Sequence, residues 1–252
     1  MSGETARGRT VLAITGTDRV HFLQGLVSNE VPEPGAGLVY AAILTPQGKY
    51  LADFFLLAEE ARILLDVDTA LAAGLAKRLT MYKLRADVAI AATDLAVSRG
   101  IGTPPEGAFP DPRHEALGWR SYDTAAQAED EVDWDAIRVA HCIPETGIEL
   151  QPNETFILEA NFEALHGVDF RKGCYVGQEV TARMKHKTEL RKGFATVAVS
   201  GAAEPGTPIT RDGKPVGTLF TRSGDAAIAY LRFDRAGAGM VAGEAAVTLP
   251  ET

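Results

Sequence analysis

The chain has 252 residues, a net charge of −9 and two cysteines, Cys142 and Cys174. A chain of this length buries roughly 70–75% of its unfolded surface, so one or two ordinary hydrophobic cores suffice, and two cysteines exclude a disulfide framework. The acidic balance argues against general nucleic-acid binding, no apolar run approaches the roughly 18 residues of a membrane span, and no basic-then-apolar leader with a cleavage site opens the chain. The expectation is a soluble, cytoplasmic protein.

Residues 10–15, Thr-Val-Leu-Ala-Ile-Thr, are rich in β-branched side chains and end at Gly16, which predicts a strand. Asp18 is placed to cap a helix in which Val20, Leu23 and Val27 share a face before Ser28-Asn29 ends it. Residues 38–45 and 50–57 flank Pro46-Gln-Gly-Lys49, where proline fixes φ and glycine supplies a positive φ, so the two runs pair as a hairpin. A strand at 62–67, a helix at 69–79 with Leu71, Leu75 and Leu79 on one side, and a strand at 86–91 follow. Strands joined by turns, with helices between them, indicate an α+β fold. Asp53 is the one acid inside an apolar strand. Such a carboxylate is paired, hydrogen-bonded or on the polar side, and alternation would set it opposite Tyr50, Ala52, Phe54 and Leu56.

Residues 99–118 carry eight glycines and prolines and read as a loop. Asp133 can cap a helix over 134–141, with Trp134, Ile137 and Ala140 or His141 inward and Pro144 beyond its end. His141 and Cys142 adjoin there without the spacing or ligand number of a zinc site, which favours packing.

Charge concentrates against the trend at residues 170–192, which hold seven Lys or Arg against two acids. Gly173 and Gly177 permit tight turns, and Val176, Val180 and Met184 recur at helical spacing over 175–185, with Glu179 and Arg183 one turn apart. Cys174 then falls at a helix entrance beside Lys172, a setting that eases ionisation of a thiol; buried packing for the cysteine and a solvated face for the cations are the alternatives. Beyond residue 192 the runs 194–199, 216–221, 226–231 and 245–249 alternate with Gly, Pro-Gly and Asp-Gly turns, which predicts five or six short strands in a small barrel.

The run Lys172-Gly-Cys-Tyr-Val-Gly-Gln-Glu179, followed by Ala182-Arg183, resembles the K-G-C-[FY]-x-G-Q-E signature of the YgfZ/Iba57 family of folate-binding iron-sulfur assembly proteins. Gly16, Asp18 and Phe22-Leu-Gln-Gly25 are similar to that family's opening, and residues 143–162 to the segment leading into its signature. The resemblance implies an α+β core over 1–190, related to the aminomethyltransferase (glycine-cleavage T-protein) fold, and a β-barrel over 191–252. It implies tetrahydrofolate or a derivative as ligand, with Asp53, Asn161, Lys172, Gly173, Tyr175, Gly177, Gln178, Glu179, Arg183, Lys185, Lys187 and Arg191 as binding residues and Cys174 as a functional thiol. It implies iron-sulfur assembly factors or client enzymes as partners and no stably bound metal. A polyglutamate tail is a polyanion that a local basic cluster on an acidic protein would attract. The transferases carry paired aspartates where this chain has Ala52-Asp53, so the rival reading, one-carbon transfer, lacks one carboxylate. A folate-linked RNA-modification factor is the third reading.

Overall fold

The computed structural model describes residues 2–124, 132–186 and 190–250. The chain forms two compact units, one of Met1–Val132 with Glu163–Glu179 and the other of Asp133–Phe162 with Val180–Thr252.

The first unit contains β1 (Ser2–Thr5), β2 (Arg9–Thr15), α1 (Arg19–Gln24), β3 (Leu38–Leu44), β4 (Tyr50–Ala58), β5 (Ile63–Asp68), α2 (Thr69–Tyr82), β6 (Ala89–Ala92), β7 (Ala96–Ile101), β8 (Phe109–Pro110) and β9 (Trp119–Asp123). They make a five-stranded sheet in the order β3-β4-β5-β2-β6 and a four-stranded sheet in the order β1-β7-β9-β8. All the pairings are antiparallel. One face of the larger sheet, with Leu12, Ile14, Ile43, Phe54, Leu56 and Leu65, packs on Leu23, Leu75 and Leu79 from the two helices. Asp68 caps α2, its side chain accepting from the Ala70 N–H at 2.8 Å.

The opposite face of that sheet is buried too, and sets Asp53, Asp66, Tyr40 and Tyr50 among apolar residues such as Phe55, Leu57 and Leu64. The β3–β4 register shifts between Ile43 and Leu44, so that Leu44 opposes Tyr50 while Ile43 opposes Ala52. One extra residue in β4 reverses the side-chain parity. Tyr50 therefore lies on the same side as Asp53, where simple alternation put it opposite. Beside them, Tyr40, Phe55 and Asp66 form a row across β3, β4 and β5.

The second unit contains α3 (Trp134–Ala140), most of α4 (Gln178–His186), β10 (Lys192–Ser200), β11 (Pro208–Arg211), β12 (Lys214–Ser223), β13 (Ala226–Arg232), β14 (Met240–Ala242) and β15 (Ala245–Thr248). The six strands close a barrel in the order β10-β13-β12-β11-β14-β15, because β10 pairs with both β13 and β15. Val197, Val199, Leu219, Ala229, Leu231 and Val247 fill its interior. Asp133 caps α3 as expected, accepting from the Ala136 N–H at 2.9 Å.

Several sequence expectations change. Helix α1 is only six residues long, Val20 on it is exposed, and Val27 instead bridges to Ile43. Asp18 makes no cap bond to the helix but accepts the Asp87 N–H at 2.8 Å. The 99–118 region ends β7 and holds β8 and a 3-10 turn over Glu115–Leu117. On α3 the inward residues are Trp134, Arg138 and Val139. No helix among the described residues is long and apolar enough to cross a membrane.

Candidate functional site

The signature run folds mainly as a loop. Helix α4 begins at Gln178, after a turn in which the Gln178 N–H donates to Tyr175 O at 3.2 Å. Cys174 is therefore four residues short of the helix and not at the helix entrance expected from the spacing. The thiol is exposed.

The loop is fastened to the first unit by its own backbone and by Lys172. The Lys172 ammonium is buried and donates to three main-chain carbonyls, Gln24 O at 2.9 Å, Val27 O at 2.6 Å and Asn29 O at 2.9 Å. Three donors meet three acceptors, so the group is saturated. Burial draws its pKa down to about 8, against a weaker upward pull from Glu30 and Asp169. The ammonium also lies 5.1 Å from the centre of the buried Tyr175 ring. The sequence reading placed Lys172 and Tyr175 among the folate contacts; the structure uses both to anchor the loop.

The main chain adds to the clamp on either side of Cys174. Asp169 N–H donates to Ser28 O at 3.0 Å and Val176 N–H to Gly25 O at 3.2 Å. Ser28 is fully buried, its hydroxyl donating to Gly167 O at 2.6 Å and accepting from the Ala42 N–H at 2.8 Å. The Asn29 amide donates to Tyr40 O and His166 O at 3.0 and 2.7 Å. The Phe-Leu-Gln-Gly-Leu-Val-Ser-Asn motif thus supplies the acceptors that hold the signature loop.

Of the two loop glycines, only Gly177 is sterically required. Its φ is +86°, and a Cβ there would meet Thr45 O at 2.6 Å and Leu44 Cβ at 2.9 Å. Gly173 has no positive φ and nothing within 4 Å of a Cβ, so the expected tight turn is absent there.

Asp53 is buried and hydrogen-bonded, and not exposed on a polar side of the sheet. Its carboxylate accepts the Tyr50 hydroxyl at 2.7 Å and the Tyr40 hydroxyl at 3.0 Å. Burial, and then the Asp53 charge, push the Tyr40 phenol well above its ordinary pKa, so it remains a donor. The Arg113 guanidinium lies over the Tyr40 and Phe55 rings at 5.5 and 4.9 Å, and Arg120 over Phe55 at 4.1 Å. These arginines are held by Asp111 and Asp66, which also binds Arg9. Burial alone would raise both carboxyls, but the adjacent guanidiniums outweigh it and hold them below the usual range. Sequence reading missed this ionic layer because its members come from β2, β5, β9 and the loop after β8, far apart in the chain.

The remaining expected residues fall elsewhere. Gln178 is half-buried and Glu179 exposed at the start of α4, while Arg183 and Lys185 are exposed further along it, as is Arg191 before β10. Lys187 lies outside the described residues. Asn161 belongs to the second unit, where its amide donates to Cys142 O at 3.1 Å. Burial raises the Cys142 thiol to about 11, against lowering by hydrogen bonds with Asn161 and Thr196. Asn161 therefore has a structural partner. In the same unit Arg138 is buried among Glu149, Glu145 and Asp135, and Thr221 accepts from it at 2.8 Å.

The fold is that of an aminomethyltransferase. It matches glycine cleavage system aminomethyltransferase T from Bartonella henselae with a TM-score of 0.76 over 99% of this chain and 85% of that one, at 13% identity. Residues 191–251 match the family model described as the CAF17 C-terminal beta-barrel domain. The chain is 30% identical to human mitochondrial iron-sulfur cluster assembly factor IBA57, across 89% of this chain and 75% of that protein. It is 33% identical to the mitochondrial IBA57 homologue of Mycosarcoma maydis, across 78% of this chain and 57% of that longer protein. The mouse protein gives 31% over 89% and 76%. The chain belongs to the IBA57 family of iron-sulfur cluster assembly factors. The cytoplasmic placement expected from the sequence is overturned by these relatives, which are mitochondrial.

Proposed function

We propose that this protein acts in the maturation of iron-sulfur enzymes and that it binds tetrahydrofolate while doing so. The observation that carries the first part is the exposed Cys174 on a loop clamped from both sides by the buried Lys172 and the Ser28–Asn29 segment. A thiol presented on a fixed backbone is available to a partner without an ordering cost at contact. Four thiolates hold an ordinary cluster, and this chain has two cysteines, the exposed Cys174 and the half-buried, high-pKa Cys142. A cluster held at Cys174 is therefore shared with a partner that brings the other ligands.

The folate part rests on the charges and on Asp53. The exposed Arg183, Lys185 and Arg191 are chemically suited to a polyanionic glutamate tail. Asp53, fastened by two tyrosine hydroxyls, is a fixed hydrogen-bond acceptor. Tyr40 holds its proton, so the arrangement favours ligand positioning over proton transfer, in keeping with the single carboxylate of Ala52-Asp53.

Two measurements test the proposal separately. Cells lacking the protein lose activity of iron-sulfur enzymes but not of matched enzymes without clusters, and the wild-type chain restores it; equal activities with and without the protein contradict the first part. Calorimetric titration with mono- and triglutamyl tetrahydrofolate at two salt concentrations gives tighter, salt-sensitive binding of the triglutamyl form. Equal, salt-insensitive affinities remove the tail contact, and no heat with either removes folate.

A further inference from the structure

The five-stranded sheet has two edges, and they are treated differently. The β3 edge is covered by the chain's own residues: Val27 bridges to Ile43, Ser28 N–H donates to Ala42 O at 2.9 Å, and the Asn29 amide reaches Tyr40 O. The β6 edge has no neighbour beyond β2 among the described residues. Its alternation is fixed by Thr93, whose N–H donates to Val11 O at 2.9 Å, in register with the pairs Ala92↔Leu12 through Ala89↔Thr15. Hydrogen-bonded and non-hydrogen-bonded pairs alternate along an antiparallel ladder. Ala89 and Ala91 therefore bond inward to β2, and the N–H and C=O groups of Ile90 and Ala92 point away from the sheet. Ala89, Ala91 and Ala92 are exposed.

This edge is short, at four residues, and its strand is otherwise open. An exposed edge is ordinarily blunted by lysine, proline or a bulge within the strand, and Ala-Ile-Ala-Ala has none of these. The chain leading into it is basic: residues 69–86 hold Lys77, Arg78, Lys83 and Arg85 and no acid, within a protein of net charge −9. None of the four is in an ion pair among the described residues. Lys83 folds its ammonium onto Val88 O at 2.8 Å, just before the strand. Met81 and Leu84 are exposed at the end of α2, and Leu84 is held at a φ of +47°, which an L side chain avoids. The nearest acid in the link, Asp87, is engaged by the Thr17 N–H and hydroxyl at 3.0 and 2.9 Å.

We infer that β6 accepts an extended, acidic segment of a partner protein by strand addition, its backbone pairing with Ile90 and Ala92 and its carboxylates meeting Lys77, Arg78 and Arg85. Strand addition draws affinity from main-chain bonds and specificity from flanking side chains, and this edge offers both.

The probe is a fluorescein-labelled (Glu-Val)4 peptide, with (Lys-Val)4 as its charge-reversed counterpart, titrated against the full chain by anisotropy. The (Glu-Val)4 peptide binds at least about tenfold more tightly than (Lys-Val)4, and raising the salt weakens it, since exposed charges are screened. Ala92→Pro removes one outward N–H without touching the β2 ladder and weakens binding about fivefold or more with the melting temperature unchanged. Arg85→Glu does the same. On the unaltered chain, bound peptide slows amide exchange at Ile90 and Ala92 and leaves Ala89 and Ala91 as they were. Equal affinities for the two peptides, or no protection at Ile90 and Ala92, overturn the inference. So does displacement of the peptide by oligo-dT with binding indifferent to Ala92→Pro, which would assign the basic patch to nucleic acid.

Discussion

Replacing Lys172 by methionine keeps an unbranched stem out to Cε and removes the ammonium, leaving the carbonyls of Gln24, Val27 and Asn29 without their shared donor. Hydrogen bonds from a charged donor contribute about 1.5–3 kcal/mol each, or roughly 5–9 kcal/mol for three. Part of that is offset, since the fall of the lysine pKa from 10.5 to about 8 corresponds to roughly 3 kcal/mol of desolvation that methionine escapes. The net loss is about 2–6 kcal/mol, within the range for breaking a buried charged contact. Because the folded pKa lies below the unfolded one, the unfolded chain holds this proton between pH 8 and 10.5 and the folded chain does not. The wild-type contribution therefore grows as pH rises through that window, and the Lys172→Met variant lacks that growth. Urea unfolding gives the total, and hydrogen exchange gives the location: amides of residues 24–29 and 166–177 exchange at least about a hundredfold faster. A loss under about 1 kcal/mol with unchanged exchange in those segments would refute the clamp.

Gly177→Ala forces a Cβ to within 2.6 Å of Thr45 O at a φ of +86°, and destabilises by about 2–4 kcal/mol in the same urea assay. Gly173→Ala, with open space around it, changes stability by less than about 0.5 kcal/mol. Iodoacetamide at pH 8 modifies exposed Cys174 and leaves Cys142 untouched, as read by peptide mass spectrometry. The folded pKa of Cys142, about 11, lies above its usual 9.0, so its contribution is complete below pH 9 and is lost as pH rises toward 11; Cys142→Ala removes that dependence, worth at most roughly 2–3 kcal/mol. Asp53→Asn leaves one oxygen for two tyrosine hydroxyls and costs about 1–3 kcal/mol in stability, while cellular activity is largely kept. Loss of that activity with folate binding intact would instead make Asp53 a chemical participant.

The hairpin at 38–58, the helix cap at Asp133 and the barrel were legible because each is written in local patterns of turn residues and alternation. Asp53 was singled out as an acid in an apolar strand, but its environment was not, because one extra residue in β4 moves Tyr50 to its side. A bulge leaves no mark in composition. Lys172 was noticed for its charge, whereas its role depends on three carbonyls more than 140 positions earlier, and backbone acceptors are invisible to residue patterns. The helix start was misplaced by three residues because Val176, Val180 and Met184 keep helical spacing through a turn that Gly177 opens. The ionic layer of Arg9, Asp66, Asp111, Arg113 and Arg120 required the two sheets of the first unit to be seen together.

The exposed thiol on its clamped loop is the centre of this account, and complementation tests it most directly. In cells lacking the protein, the activity of an iron-sulfur enzyme is measured after supplying the wild type, Cys174→Ser or Cys142→Ser at equal protein levels. The expected result is restoration by the wild type and by Cys142→Ser, with Cys174→Ser leaving activity near the level of the empty control. Full restoration by Cys174→Ser would contradict a functional thiol, and the loop would then act through its fold alone.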